Sequence, residues 1–479
     1  MENLHIEKLD TDIVVIGGGG GGLAAALTAA ERGAKVLILE KRRSAGGNSA
    51  LALGLFGAES PVQKRQRLDV RKDELFKIAM DYSHWTINPR IVRAFVYKSG
   101  DTIRWLEELG VRFEKLVPWY PNQTHLVYHC PRGKGKAIIN ALAKKCEELG
   151  IRSLYETSAK NILTNERGGV TGVVCIVKDR EVRINTKGII IATGGYGSND
   201  ELLKKYCPYY SEELRYDGIP LMGDGVHLTT EVGAATEGLG NLLIHGPMFP
   251  TRNRNVWNAA VEPYTIWLNK KGERFVDENL QLIPVDSANA LNRQPDKICY
   301  SILDDKMKKN ILEQGIERGV GTRIMPGTKL ADLGKRLKVQ ANKGWVKISK
   351  SWDEIAQWIG ASPEVLNSTI EEYNRFCERR CDEGFAKDPR FLIPLQNPPY
   401  YAIKLCQVFV DTIGGIKINH HMEVLLPNDN PIPGLYAVGV CAGGWVSESY
   451  CMILSGSAFG FAINSGRIGG KTAAEYSLR

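Results

Sequence analysis

No cysteine precedes Cys130 in this chain of 479 residues, and the ten from Cys130 to Cys451 show no framework spacing. That excludes a disulfide-stapled secreted domain and fits reduced thiols. The nearest pair, Cys377 and Cys381, has no second pair to complete a zinc or iron–sulfur set, so no metal is expected. No apolar run approaches the ~20 residues of a membrane helix, and stable membrane insertion is not expected. The polar, acidic stretch from Met1 to Thr11 offers no signal peptide, and Arg42 and Arg43 lie too far inside for a twin-arginine signal. The expected location is cytoplasmic. Charge of one sign is also lacking: 62 basic side chains face 54 acidic ones, a net +8 that is scattered along the chain. No nucleic-acid partner is expected.

Glycine is what abounds, at 50 residues, well above the usual ~7%. Tight turns and close backbone approaches are implied. At roughly 150 residues per domain the length allows two or three domains. Asp12 to Ile16 reads as a short buried parallel strand, followed by six glycines, Gly17 to Gly22. Leu23 to Arg32 reads as a helix closed by Gly33, and Lys35 to Leu39 as a second strand ending on Glu40. A helix is predicted over Lys136 to Leu149, with strands near 151–163, 170–178 and 181–192. The last of these runs into Thr193, Gly194 and Gly195. From about 240 to 411 this rhythm disappears. A strand then returns at Pro433 to Gly439, and a long apolar helix spans about Gly456 to Tyr476. The expected fold class is α/β: a Rossmann-like domain in two sequence pieces, 1–239 and 412–479, with an inserted α+β capping domain at 240–411.

Gly17, Gly19 and Gly22 have the spacing of the dinucleotide fingerprint. The first permits the tight turn, the second lets backbone approach a pyrophosphate, and the third lets helix pack on strand. The helix N-terminus offers free N–H groups to phosphate. Glu40 falls 23 residues after Gly17, where an acid accepts hydrogen bonds from a ribose. A disulfide reductase opening with this fingerprint needs a redox pair in the N-terminal region, which the missing cysteines exclude.

A second small-residue loop, Gly46-Gly47-Asn48-Ser49, follows Glu40, where NAD enzymes usually have none. With Ala192-Thr193-Gly194-Gly195, Gly223-Asp224-Gly225, the run from Asn269 to Glu278, Pro433 to Gly439 and Ser465-Gly466-Arg467, it resembles the FAD-binding set of the fumarate reductase and succinate dehydrogenase flavoproteins. That family includes the 3-ketosteroid dehydrogenases. The resemblance covers nearly the whole chain. It implies an FAD domain in two parts, a capping domain between them and an active site at their junction. The cofactor contacts it implies are Gly17, Gly19, Gly22, Glu40, Lys41, Gly47, Asn48, Ser49, Gly133, Gly135, Thr193, Gly194, Asp224, Gly439, Ser455 and Ser457. Relatives that attach FAD covalently use a His just after the second strand. Arg42 to Ser49 contains none, so FAD is expected to be non-covalent.

The catalytic positions depart from the fumarate pattern. His245-Gly246-Pro247 stands in place of His-Pro-Thr, Leu282 at the proton-delivering arginine, and Ile453 at the dicarboxylate-clamping arginine. Asp411 takes the place of the His ahead of Thr412. Leu and Ile provide no bidentate carboxylate contact. Ser455-Gly456-Ser457 is similar to the Ser-Gly turn of the ketosteroid branch, which implies dehydrogenation or reduction of a C–C bond beside a carbonyl, on a cyclic ketone or ketosteroid-like substrate. The alternatives are an ene-reductase of an unsaturated carboxylate and a flavoprotein subunit of an electron-transfer complex. Asp411 is either a general base or a structural acid. Tyr450 and Tyr264 are either catalysts or packing residues, and His245 is placed to line the pocket. Arg252 and Arg254 either bind a substrate carboxylate or decorate a cap loop, while Gly456 offers a backbone N–H to the substrate. The partners expected are a small ketone or carboxylate substrate and an electron acceptor or donor of unknown identity.

Overall fold

The computed structural model of the protein describes residues 8–119, 123–251, 253–319 and 324–479. Its central sheet has six strands, in the order Glu423–Leu425, Pro431–Ala437, Gly188–Ile191, Ile13–Ile16, Val36–Leu39 and Arg152–Leu154. All neighbours are parallel except the first pair, with Ile16 opposite both Ile191 and Leu39. Four of these strands, including Ile13–Ile16 and Gly188–Ile191, are fully apolar or nearly so because helices cover one face and a second, four-stranded sheet packs against the other. The chain reverses direction of travel across the sheet at Ile13–Ile16. That reversal opens a crevice at the carboxyl ends of the strands, where the glycine loop lies.

The helix Gly20–Ala30 covers one face and packs on the C-terminal helix Ser457–Ser477. Two glycines make this close crossing possible. A Cβ on Gly466 would stand 2.3 Å from the Gly21 carbonyl oxygen, and one on Gly470 would stand 2.3 Å from that of Ala25. The first helix ends at Ala30, and Gly33 (φ +90°) closes the turn that follows.

Two of the expected strands are each divided between sheets. The 151–163 stretch breaks at Glu156 (φ 51°), leaving Arg152–Leu154 in the central sheet and Thr157–Thr164 in a separate four-stranded one. The 181–192 stretch breaks likewise between Arg180–Asn185 and Gly188–Ile191. At that break the Thr186 hydroxyl bonds the Asp12 and Gly188 carbonyls and turns the chain.

A second hydrophobic core gathers residues between Phe249 and Cys406. Its spine is the 13-residue strand Tyr400–Thr412, which pairs with Ile298–Leu303, Leu242–Met248 and Val346–Ser349. The same strand begins in this core and ends in the first, where Phe409 is buried. The run from Asn269 to Glu278 closes the second core with a buried charge cluster. Arg274 donates to Glu278 (3.0 and 3.1 Å) and to Asp382 (2.9 Å), and Lys387 donates to Glu278 (2.9 Å) and to the Thr265 carbonyl (2.7 Å). No helix among the described residues is long and apolar enough to cross a membrane.

Candidate active site

A cavity of about 1350 Å³ opens at the crevice and runs on under the second core. It exceeds the roughly 300–1000 Å³ of a single small-ligand pocket, which suits a dinucleotide together with a substrate. Gly17, Gly19, Gly20 and Gly21 line it. An added Cβ at Gly19 would meet nothing nearer than 4.0 Å, so the loop leaves open space in front of its backbone. The N-cap residue, Gly19, has no side chain to cap the helix that follows, which leaves first-turn N–H groups beyond that of Gly20 for phosphate. Glu40 is buried at 7% exposure; its carboxylate accepts from the Gly18 N–H (2.7 Å) and the Arg42 N–H (2.8 Å). Gly22 does not line the cavity: a Cβ there would fall 1.9 Å from the Gly17 carbonyl oxygen, so its part is to pack helix on strand.

Lys41, Gly47, Asn48, Ser49, Thr193, Gly194, Asp224, Gly439 and Ser455 also line the cavity. Lys41 pairs with Asp224, and the Ser49 hydroxyl accepts from the Gly20 N–H at 3.1 Å. Gly133, Gly135 and Ser457 stand behind the wall. Gly135 donates to the Ala52 carbonyl at 2.7 Å, and a Cβ on it would fall 2.1 Å from the Ser49 carbonyl oxygen. The second glycine turn is equally tight. Gly456 (φ +83°) starts the C-terminal helix against the backbone of Leu55 and Phe56, with its own carbonyl accepting from the Phe56 N–H at 3.0 Å. The positive end of that 21-residue helix therefore faces the cavity, where it favours negative charge on a bound ring.

A family model described as FAD binding domain matches residues 12–451. The chain belongs to this flavoprotein family. It is 33% identical over 451 residues to the vinyl phenol reductase of Lactiplantibacillus plantarum, covering 90% of each chain. It is 28% identical over 404 residues to the NADH:fumarate oxidoreductase of Klebsiella pneumoniae, spanning 83% of this chain but only 41% of that longer protein. Among solved structures, 3-ketosteroid-delta4-(5alpha)-dehydrogenase from Rhodococcus jostii RHA1 superposes with a TM-score of 0.76 at 22% identity, covering 98% of both chains. The flavoprotein is thus an FAD-dependent oxidoreductase of the fumarate reductase family, whose members act on C=C bonds. The glycine loop, Glu40 and the N-terminus of the first helix fit FAD.

The residues expected to do chemistry are only partly brought together. Asp411, Tyr450, His245, Arg254 and Gly456 line the cavity, as does Leu282. Tyr264 does not; it is buried in the second core beside Glu262. Arg252 lies outside the described residues. Asp411 ends the long strand at 7% exposure, and burial raises its carboxyl pKa to about 7 against the pull of the Asn48 hydrogen bond. Oδ2 accepts from Asn48 Nδ2 at 2.9 Å, while Oδ1 has no partner among the described residues. Tyr450 is buried, and its hydroxyl accepts from the Ala458 N–H at 3.0 Å; burial raises its pKa.

Asn48 is more deeply engaged than a cofactor contact. Its amide also donates to the Tyr216 hydroxyl and the Val410 carbonyl (both 3.2 Å), and its oxygen accepts from the Ile219 N–H at 2.8 Å. It bolts the end of the long strand to the glycine loop. Tyr216 escaped the sequence reading, although two neighbouring glycines could have signalled a large ring: a Cβ at Gly197 or Gly218 would come within 2.4 Å of it. Arg318, Gln281 and Trp257 line the cavity too, and no motif marks them.

Proposed function

We propose that this flavoprotein reduces the C=C bond of a ring-bearing, largely apolar substrate of the vinyl phenol kind, in the cytoplasm, with an electron donor supplied by a separate partner. One observation carries the reading: Leu282, at the position counted for the family's proton-delivering arginine, lines a cavity also walled by Met248, Phe249 and Trp257. A dicarboxylate needs a charge partner at each end, and with Leu282 here one of the family's arginine partners is gone, at a cost of several kcal/mol. The vinyl phenol reductase that matches over 90% of both lengths points the same way.

FAD, held by the glycine loop and Glu40 without a covalent link, would supply or accept the hydride when bound. The protein's own task is to move one proton. Asp411, with its carboxyl near pKa 7, is present in both protonation states at neutral pH and serves as acid in reduction or as base in the reverse direction. Tyr450 shares or relays that proton, and His245 and Arg254 orient the substrate. Dehydrogenation beside a ketone is a second reading, favoured by the same property: a buried carboxylate with one unbonded oxygen is suited to take an α-proton.

The test is anaerobic. Holoprotein reduced with dithionite is mixed with 4-vinylphenol, a cyclic enone or fumarate, and flavin reoxidation is followed. Vinylphenol is expected to reoxidise the flavin fastest. Faster reoxidation by fumarate would overturn the proposal, and faster reoxidation by the enone would favour the ketone reading.

A further inference from the structure

Two side chains in the cavity wall carry buried polar atoms with nothing to bond. Arg318 is 7% exposed; its Nη2 donates to the Gln281 carbonyl at 3.1 Å and its guanidinium lies 5.3 Å from the Trp257 ring centre. Its Nε and Nη1 have no hydrogen-bond partner among the described residues, and the Glu262 carboxylate attracts the cation without bonding these two nitrogens. Gln281 is 2% exposed, and both its amide oxygen and its amide nitrogen are unpartnered.

An unbonded buried amide or cation is costly, so such groups persist where a ligand satisfies them or where the chain holds them in place. Here the chain does hold them. The Glu262 carboxylate accepts from the Glu317 N–H at 2.8 Å and the Arg318 N–H at 3.3 Å, which fixes the backbone that carries the guanidinium. Burial lowers the Arg318 pKa only to about 10, so the cation persists at neutral pH. Arg318 reaches the wall from a different segment than the family's missing arginine, yet it bonds the residue immediately before Leu282.

We propose that Arg318 and Gln281 form the subsite for the substrate's single oxygen group, an acceptor oxygen with partial or full negative charge such as a phenol oxygen or one carboxylate. Turned outward by the entering ligand, the guanidinium Nε–H and Nη1–H groups and the Gln281 amide donate to it, with the Trp257 ring, 5.3 Å away, keeping contact with the cation. This deepens the proposed function and rests on its premise that the substrate enters this cavity.

The test uses oxidised holoprotein and ligands that do not react: 4-ethylphenol, 3-phenylpropanoate and ethylbenzene, titrated by flavin absorbance and calorimetry. At least one oxygen-bearing ligand is expected to bind about tenfold or more tighter than ethylbenzene. The better of the two identifies phenol or carboxylate as the oxygen recognised. Arg318→Met is expected to abolish the advantage while leaving ethylbenzene affinity and FAD retention within about threefold, and Arg318→Lys to retain part of it. A full advantage in Arg318→Met, or none in the wild type, overturns the proposal. If Arg318→Met does not fold, Gln281→Leu decides, and an unchanged advantage there is equally fatal. Because turnover is not read, failure to reduce vinylphenol would sink the proposed function and leave this subsite standing.

Discussion

Replacing Asp411 by Asn separates a chemical role from a structural one, because the two give opposite signs. The native carboxyl is buried with its pKa raised from 3.8 to about 7. In the unfolded chain it keeps the ordinary value. Between about pH 4 and pH 7 the folded state therefore holds the proton more firmly, and the unfolded state binds fewer protons. Stability from this group is complete below pH 4 and falls away as the pH rises to 7. A shift of three units corresponds to an upper bound of about 4 kcal/mol, and about 1–3 kcal/mol is expected once the fold relaxes around the charge. Asn keeps the bond from Asn48 and never ionises. Denaturant unfolding of the two holoproteins should thus give similar midpoints near pH 4, with Asp411→Asn the more stable at pH 8. The same variant should slow flavin reoxidation by substrate about 100-fold or more if Asp411 is the positioned acid. Tyr450→Phe, measured alongside, tests whether the proton passes through the tyrosine. Stability curves that stay parallel from pH 4 to 8 would refute the raised pKa, and wild-type reoxidation in both variants would refute the site.

Acid precipitation should release yellow FAD into the supernatant; colour retained in the pellet would mean a covalent link. Glu40→Ala removes an acceptor that already holds two backbone N–H groups, and FAD affinity should fall about tenfold or more at equilibrium dialysis. Equal retention would place the ribose elsewhere. Lys387→Met leaves Glu278 and Asp382 facing Arg274 alone at zero exposure of Lys387 and Glu278, which should cost about 3–5 kcal/mol in denaturant unfolding. A loss below about 1 kcal/mol would show that the cluster relaxes or admits water.

The cofactor end was legible because its chemistry is local. A strand, six glycines, a helix and an acid lie within Asp12 to Glu40, and each is explained by its own neighbours. The spacing was blind where neighbours are distant. Gly466 entered only within the Ser465-Gly466-Arg467 resemblance and Gly470 not at all, yet they let that helix meet Gly21 and Ala25. The 181–192 run looked like one strand because nothing in its apolar pattern announces that the Thr186 hydroxyl will turn the chain between two sheets. Arg318 is the extreme case. Its interest lies in being buried and charged with Nε and Nη1 unbonded among the described residues, and no sequence pattern encodes a missing partner.

Asp411 joins these two kinds of information. Its strand starts in the second core with Tyr400 and ends in the first after Phe409, so its position is set by both cores at once. Asn48, on the loop that follows the glycine fingerprint, then grips its carboxylate across 363 residues of sequence. The group able to exchange a proton is therefore held by the same loop that lines the FAD site. The fold itself closes the unbonded Oδ1 off from water. Drying a carboxyl disfavours its charged form. The pKa near 7 is therefore set by both cores and this loop before any ligand arrives, and Asp411 enters a reduction with its proton partly in place.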